Sequence, residues 1–222
     1  MKRAVLVVGL AALWAAPAAA QWLGQPAWNS PRGGTGITFY GDYGKPNADA
    51  GQGSAYAGRV ALGSGSVVLT AGVASWKPDS STERVLSYGG TVEARLIGGS
   101  LLPFAVNLQL GGAYVPKVTS GTQTLQQQTT TAQGAIGFSV PLPTPGISIE
   151  PYVSPGVRYH KYWNVSPGVS KSETNFGWVV GGNFSFGPLG IHLAYDSEKF
   201  GNTMRDVFGV GASVLLRVPL GT

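Results

Sequence analysis

Two histidines and a few carboxylates and hydroxyls are the residues in this sequence that could perform acid–base or nucleophilic chemistry. His160 could serve as a base that is oriented by Asp42 or Asp196. Ser154 or Ser166 could then be the nucleophile. No motif selects among these residues, and a histidine close to an arginine more often belongs to a structural charge network. We therefore predict that the protein is not an enzyme, with a hydrolase centred on His160 as an alternative.

Metal and cofactor chemistry has equally little support in the sequence. The chain contains no cysteine, which excludes disulfides, thiolate catalysis and zinc–thiolate sites. His192 stands alone and is predicted to be structural, since two histidines without cysteine make a poor transition-metal site. The Asn47-x-Asp49 pair lacks the other ligands of a Ca²⁺ loop. The Gly209-x-Gly211 pair precedes no phosphate-binding helix, so we predict no cofactor.

A period-two alternation runs along most of the sequence and identifies the elements that must position these residues. Between residues 87 and 96, apolar Tyr88 and Val92 fall at even positions, whereas Glu93 and Arg95 fall at odd positions. Such an alternation predicts β-strands with one apolar and one polar face. The same pattern recurs at residues 104–114, 147–160 and 176–186.

The pattern and the turn signals together predict ten strands, with an eight-stranded arrangement as the alternative. The connections alternate between short turns rich in Gly and Pro and longer polar loops, which is the rhythm of outer-membrane barrels with periplasmic turns and external loops. The predicted strands are residues 36–43, 54–63, 67–76, 87–96, 104–114, 131–140, 147–160, 176–186, 190–197 and 207–218. The predicted long loops are residues 44–53, 77–86, 116–130, 164–175 and 198–206.

The charged residues of these strands avoid the apolar faces. An Arg or Lys that faces lipid near the bilayer midplane costs about 2 to 4 kcal/mol, so uncharged faces indicate contact with lipid and the opposite faces line the interior. We therefore predict an all-β fold, a transmembrane antiparallel up-and-down β-barrel, with a soluble secreted β-protein as the rival class. The residues predicted to face inward are Asp42, Arg59, Glu93, Arg95, Glu150, Arg158, His160, His192, Asp196 and Arg217.

The predicted interior charges balance, with four carboxylates against four arginines and His160 beside them. Glu93, Arg95, Glu150 and Arg217 are predicted to lie in the periplasmic half, and Asp42, Arg158 and Asp196 in the outer half, so that each level can neutralise its own charge. Barrels of about eight strands are just wide enough inside for side chains to fill them. The sequence therefore predicts a lumen filled by an ion-pair network, with a narrow channel for small solutes as the alternative.

Aromatic residues near the predicted strand ends suggest two girdles at the membrane interfaces. Those on the long-loop side are Tyr43, Tyr88, Tyr114, Tyr159, Phe176 and Trp178. Those on the short-turn side are Phe39, Phe104, Phe138 and Phe186.

The first residues of the chain have the composition of an export signal. Lys2 and Arg3 precede an apolar run and the small residues Ala18-Ala19-Ala20, which predicts a signal peptide at residues 1–20. Residues 21–34 are predicted to be a periplasmic leader, and residues 35–222 the barrel domain. The formal charge of +5 is scattered, which argues against nucleic-acid binding. We predict a monomer in outer-membrane lipid, with both termini in the periplasm.

The segment Ile149-Glu150-Pro151-Tyr152-Val153-Ser154-Pro155-Gly156-Val157-Arg158-Tyr159 resembles the Pro-Tyr-Val-x-x-Gly-x-x-Tyr strand of small outer-membrane barrel families of the OmpA and OmpX type. The resemblance implies a membrane barrel assembled by the outer-membrane insertion machinery, and it transfers no catalytic residues. Two prolines in this strand lack a backbone donor, so we expect a bulge or an irregular seam there.

Overall fold

The structure is a computed structural model that describes residues 22–98, 102–120 and 123–217. The predicted signal peptide and the last residue of the final predicted strand, Val218, lie outside these ranges. Among the described residues, no helix is long and apolar enough to cross a membrane. The strands are β1 Gly36–Pro46, β2 Ser54–Ser64, β3 Val67–Lys77, β4 Val85–Ile97, β5 Ala105–Val115, β6 Val118–Ser120, β7 Gln123–Gln126, β8 Thr129–Ser139, β9 Leu142–Thr144, β10 Ile147–Ser166, β11 Val169–Phe186, β12 Leu189–Phe200 and β13 Thr203–Leu216.

Ten of these strands form one closed antiparallel ring. Their order around the ring is β1-β2-β3-β4-β5-β8-β10-β11-β12-β13, and β13 pairs back onto β1 from Ile37 opposite Leu216 to Pro46 opposite Val207. β6 and β7 pair only with each other, and β9 pairs with the start of β10. The ten predicted strands are therefore confirmed, and the eight-stranded alternative is wrong.

The outer surface of the ring is apolar. Leu62, Leu110 and Ile191, on three different strands, are between 41% and 51% exposed. The ten aromatic residues predicted to form girdles all lie on this outer surface; eight are exposed, and Tyr43 and Trp178 are half-buried against neighbouring tyrosines. A surface of this kind is suited to hydrocarbon, and a closed ring pairs its backbone groups without an open edge. The fold is thus a transmembrane β-barrel.

Two connections that the sequence predicts as long loops are instead extensions of strands. β10 and β11 continue to a tight turn between Ser166 and Val169, with a register shift between Tyr162 and Ser166. β12 and β13 remain paired as far as Phe200 and Thr203. The β10–β11 hairpin extends beyond the neighbouring strand β8, whose pairing with β10 ends at Thr129, opposite Tyr162. Beyond the membrane both faces of a hairpin meet water, so the apolar alternation disappears although the backbone pairing continues.

The proline-containing strand contains no bulge at Pro151 or Pro155. Its register against β8 is the same before and after Ser154 and Pro155, but these two residues are missing from the ladder. The seam is therefore interrupted, as a strand that lacks an amide donor requires, without the register shift that a bulge would cause.

A charge on the outer surface should destabilise the folded barrel in proportion to its depth in the bilayer. Leu110 lies in the middle of β5, so Leu110→Arg should lower the free energy of unfolding in lipid vesicles by about 2 to 4 kcal/mol. Tyr114→Arg, near the end of the same strand, serves as the control and should lower it by about 1 kcal/mol or less. Equal effects at both positions, measured by urea titration, would contradict the placement of this face in lipid.

Candidate functional site

The interior of the barrel contains part of the chain itself. Residues 22–34, the luminal segment, lie inside the ring, where Trp22 is 1% and Trp28 5% exposed. The prediction of a periplasmic leader is therefore corrected for these residues. The physical reason is their composition: the only charged residue among them is Arg32, which remains exposed, and the two indoles gain from burial.

The luminal segment traverses the barrel from the long-loop end to the short-turn end. The Leu23 amide donates to Ser87 Oγ at 3.0 Å, near the start of β4, which is the long-loop end of that strand. Nine residues later the Arg32 side chain donates to Ser148 Oγ at 3.0 Å, at the short-turn end of β10. The described chain ends thus lie at opposite ends of the barrel. That both termini are periplasmic stays a prediction, because residues 1–21 and 218–222 lie outside the described ranges.

Two buried glutamates bind the backbone of the luminal segment. The Glu93 carboxylate accepts from the Ser30 amide at 3.3 Å and from Gln109 Nε2 at 2.9 Å. The Glu150 carboxylate accepts from the Arg32 amide at 2.8 Å, and also from Ser139 Oγ at 2.8 Å and Asn183 Nδ2 at 3.2 Å. Amide, hydroxyl and backbone donors therefore satisfy these carboxylates.

The arginines predicted to pair with these glutamates do not do so. Arg95 is half-buried and donates to the Arg32 backbone carbonyl at 2.8 Å. Arg217 is exposed at the short-turn opening. Neither forms an ion pair with any of the described residues. The sequence predicted that arginines would pair with these glutamates, because it contains no signal that backbone amides of the luminal segment would donate hydrogen bonds to them.

One buried ion-pair cluster joins β1, β2 and β12. Arg59 donates two hydrogen bonds to Asp42, with Nε to Oδ2 at 2.5 Å and Nη2 to Oδ1 at 3.1 Å. His192 Nε2 lies 2.6 Å from the same Asp42 carboxylate, so His192 belongs to a network that the sequence did not assign to it. The Arg59 guanidinium also lies 4.4 Å from the Tyr40 ring centroid and 5.2 Å from that of Trp28, a cation–π arrangement that couples this cluster to the luminal segment.

A second cluster lies closer to the long-loop end. Arg158 Nη1 is 2.7 Å from Asp196 Oδ1 and 3.3 Å from Glu198 Oε2. His160 Nε2 lies 2.6 Å from Glu198 Oε1. The other Asp196 oxygen accepts from the Ala27 amide of the luminal segment at 2.7 Å. Sequence reasoning missed Glu198 because it ended the strand at residue 197, although residues 196 and 198 share one face.

The residues considered for catalysis are not assembled into a nucleophilic site. His160 pairs with Glu198, whereas Asp42 pairs with Arg59 and His192. Ser154 Oγ accepts from Asn29 Nδ2 at 2.6 Å. Ser166 is exposed at the tip of the β10–β11 hairpin. His160, Asp42 and Ser154 are thus each engaged in packing contacts, and Ser166 lies six residues beyond His160 along β10.

Uncharged amide side chains form further contacts with the luminal segment in the middle of the lumen. Asn29 and Asn107 exchange hydrogen bonds through their side chains, at 2.7 and 3.3 Å. Gln109 Nε2 donates to the Trp28 carbonyl at 2.6 Å. Gln133 Nε2 donates in turn to Gln109 Oε1 at 3.2 Å. The luminal segment is therefore held by polar contacts at every level of the barrel.

A cavity of about 380 Å³ lies between the luminal segment and the short-turn end. Its deep wall includes Trp28, Arg59 and Glu93, and its mouth includes Arg32 and Arg217. Among the described residues, no group of three or more His, Asp or Glu side chains is placed to hold a metal ion. The cavity is thus a polar, solvent-accessible vestibule that ends at the luminal segment.

Glycines on the inner face make room for the luminal segment, and one of them provides a test. A Cβ atom at Gly209 would lie 2.6 Å from Pro26 Cγ and 2.8 Å from Trp28 Cη2. Gly209→Val should therefore displace this part of the luminal segment and increase its digestion by protease in folded protein. Gly58→Val is the matched control, because a Cβ there meets nothing within 4 Å. Unchanged protection in the Gly209 variant would contradict the observed packing.

Comparison with known proteins gives likeness of structure only. No family model matches the sequence, and no curated protein matches it. A bacterial polysaccharide outer membrane secretin is 12% identical, with a TM-score of 0.49, over 75% of this chain and 57% of the secretin chain, so this chain spans less than two thirds of it. Ail, the attachment invasion locus protein of Yersinia pestis, is 13% identical, with a TM-score of 0.39, over 82% of this chain and 100% of Ail. The N-terminal β-barrel domain of Pseudomonas aeruginosa OprF is 11% identical, with a TM-score of 0.36, over 83% of this chain and 99% of that domain.

The assignment of the fold rests on the molecule itself. It has a closed antiparallel ring, an apolar outer surface, a polar interior, and short turns at one end with longer projections at the other. These are the features of bacterial outer-membrane barrels. The resemblance seen in the sequence is confirmed at the level of the fold: the chain has the architecture of a small integral outer-membrane β-barrel.

Proposed function

We propose that this protein is a monomeric outer-membrane barrel whose lumen is closed to solutes, and that its role is structural or interactive, not transport or catalysis. The observation that carries the proposal is the luminal segment, whose backbone amides bind Asp196, Glu93 and Glu150 at successive depths. Lipid and the insertion machinery are its proposed partners, and its long-loop end is the proposed interacting surface.

Polar contacts of this kind favour a segment that stays in place. A backbone amide bonded to a buried carboxylate is a charge-assisted hydrogen bond, which is roughly twice as strong as a neutral one. Removing the segment would leave the carboxylates of Glu93 and Glu150 without these donors in a confined interior, which is unfavourable unless water replaces them. Trp22 and Trp28 would also lose their buried contacts.

Recordings in planar bilayers test the closed lumen directly. The full-length protein, purified in detergent, should insert and show no steady, reproducible conductance. A small general porin handled in the same detergent provides the control for insertion. Steady conductance steps from this protein would reject the closed lumen and favour the alternative of a narrow channel for small solutes.

Gel migration and cell fractionation test the remaining parts of the proposal. The protein should require detergent for extraction and should migrate differently in cold and heated samples, because a closed barrel resists unfolding by detergent until it is heated. Its protein mass in detergent should correspond to one chain, which is 22.9 kDa before the predicted signal peptide is removed. Recovery in the soluble fraction, or a mass of several chains, would contradict the membrane location or the monomer respectively.

A further inference from the structure

Cationic residues on the outer surface cluster at the long-loop rim of β1, β2 and β3. Lys45, Ser54 and Lys77 lie side by side on three neighbouring strands. Ser54 of β2 pairs with Lys77 of β3. On the other side of β2, Gly44 pairs with Ala55, and the same register places Lys45 opposite Ser54. The neighbouring inward positions, Gly44, Ala55 and Trp76, are buried. The two lysines therefore project outward on either side of the Ser54 hydroxyl, about 10 Å apart across two strand spacings.

A third cation and two aromatic rings complete this patch. Arg84 Nη1 donates to the Ser75 carbonyl at 3.3 Å, and its guanidinium lies 5.5 Å from the ring centroid of Tyr56. Tyr43 and Tyr56, two rungs closer to the membrane centre, have ring centroids 5.5 Å apart. The patch thus places three cations directly above an outward-facing pair of tyrosines, which is where the membrane interface is expected.

The three cations are available to a ligand. Lys45, Lys77 and Arg84 are exposed, and none forms an ion pair within the described ranges. A depression of about 410 Å³ adjoins one of them, Lys77, and is lined by Ser54, Lys77 and residues 78–82. The adjacent loop also contributes the carboxylates of Asp79 and Glu83, which reduce the local positive charge without cancelling it.

Within the part of the chain that the structure describes, the opposite rim of the barrel offers no equivalent patch. All described lysines lie toward the long-loop end, whereas the arginines of the short-turn end, Arg32, Arg95 and Arg217, belong to the lumen and its opening. The outward residues near the short turns are apolar, as at Leu96, Phe138 and Leu189. The asymmetry indicates that one leaflet, and not the membrane in general, supplies the binding partner.

We propose that the patch formed by Lys45, Ser54, Lys77 and Arg84 binds the phosphate group of an outer-leaflet lipid, with Tyr43 and Tyr56 against the adjoining part of that lipid. Ammonium and guanidinium groups bind phosphate by charge-assisted hydrogen bonds, to which the Ser54 hydroxyl can add one. This inference rests on the membrane location given in the proposed function, because the site faces lipid. It does not require the lumen to be closed.

Lipid binding by purified protein tests the site. The protein is reconstituted in phosphatidylcholine bilayers with and without phosphatidic acid, whose phosphate is a monoester, and lipids retained after extraction are quantified by native mass spectrometry. Wild type should retain phosphatidic acid in preference to phosphatidylcholine. Each cation near a membrane anion contributes about fivefold in affinity, so the triple variant Lys45→Gln, Lys77→Gln, Arg84→Gln should lose about a hundredfold.

A second triple variant separates a built site from general attraction. Lys161→Gln, Lys171→Gln, Lys199→Gln removes the same charge from the same end of the barrel and should retain the bound lipid. Equal loss in both variants, or no preference for phosphatidic acid in wild type, overturns the proposal. Displacement of the lipid by millimolar inorganic phosphate would show a site for free phosphate and would also overturn it. Bilayer conductance is measured in parallel, so that a failure of the closed lumen is recognised separately.

Discussion

Release of the luminal segment should convert a silent barrel into a conducting one. A seven-residue protease site inserted between Gly34 and Thr35, both exposed at the short-turn opening, allows cleavage after folding. A wash in moderate urea should then remove residues 22–34, because cleavage makes their hydrogen bonds intermolecular and they are lost on dilution. The remaining interior would be lined by charged and amide side chains around water. Steady ion conductance should appear where none existed, as measured in planar bilayers before and after cleavage.

The control for this experiment carries the same protease site between Ser80 and Ser81, in the loop between β3 and β4. Cleavage there leaves the luminal segment covalently attached, so the barrel should remain silent. Mass spectrometry must confirm that the segment has left in the first case. A barrel that has lost the segment and still does not conduct would show that side chains alone close the lumen.

Removal of the Arg158 guanidinium should be among the most destabilising single changes in the protein. Arg158→Met keeps an unbranched apolar stem but leaves Asp196 and Glu198 without their shared cation in a buried setting. Breaking a buried ion pair by removing one partner costs about 3 to 5 kcal/mol, because the remaining charge is uncompensated. The free energy of unfolding in vesicles should fall by about this amount. Lys117→Met, at an exposed position, should change it by about 0.5 kcal/mol or less.

A combined variant distinguishes loss of charge pairing from loss of packing at this position. Adding Asp196→Asn and Glu198→Gln to Arg158→Met removes the uncompensated carboxylates and should restore a large part of the lost stability. If the combined variant is no more stable than Arg158→Met alone, the cost comes from packing or from the His160 contact to Glu198.

The alternation of side chains was sufficient to predict the ring but not its contents. Along β4, for example, Tyr88 and Glu93 must face opposite sides of any strand, and only lipid outside is compatible with an uncharged outer face. Inward placement of Asp42, Arg59 and Arg158 follows from the same argument, and the structure brings the first two together. The contacts between inward residues across the lumen depend on the shear of the ring and on the segment that fills it. Neither can be predicted from the sequence of one strand.

The luminal segment shows why part of the site could not be derived from the sequence. Its residues have no period, so they give no strand or helix signal, and their Pro and Gly content is typical of a loop. The available clue was chemical: two tryptophans and a single charge, Arg32, are an unusual composition for a segment bathed in water. Glu198 could have been assigned by continuing the alternation past Asp196. The partners of Glu93 and Glu150 could not have been predicted, because every residue except proline has a backbone amide and the sequence does not show which amides meet these carboxylates.

Closure of the ring between β1 and β13 sets an order of events for biogenesis. The luminal segment directly precedes β1, whereas its partners Asp196 and Glu150 lie more than a hundred residues later in the chain. Pairing across such a distance is slow, since the entropy of closing so large a loop opposes it. The two bulky indoles enter an open sheet more readily than a closed ring, so we expect the luminal segment to be enclosed before the ring closes. The first and last strands of the ring, β1 and β13, then pair as the final step, with the luminal segment already inside.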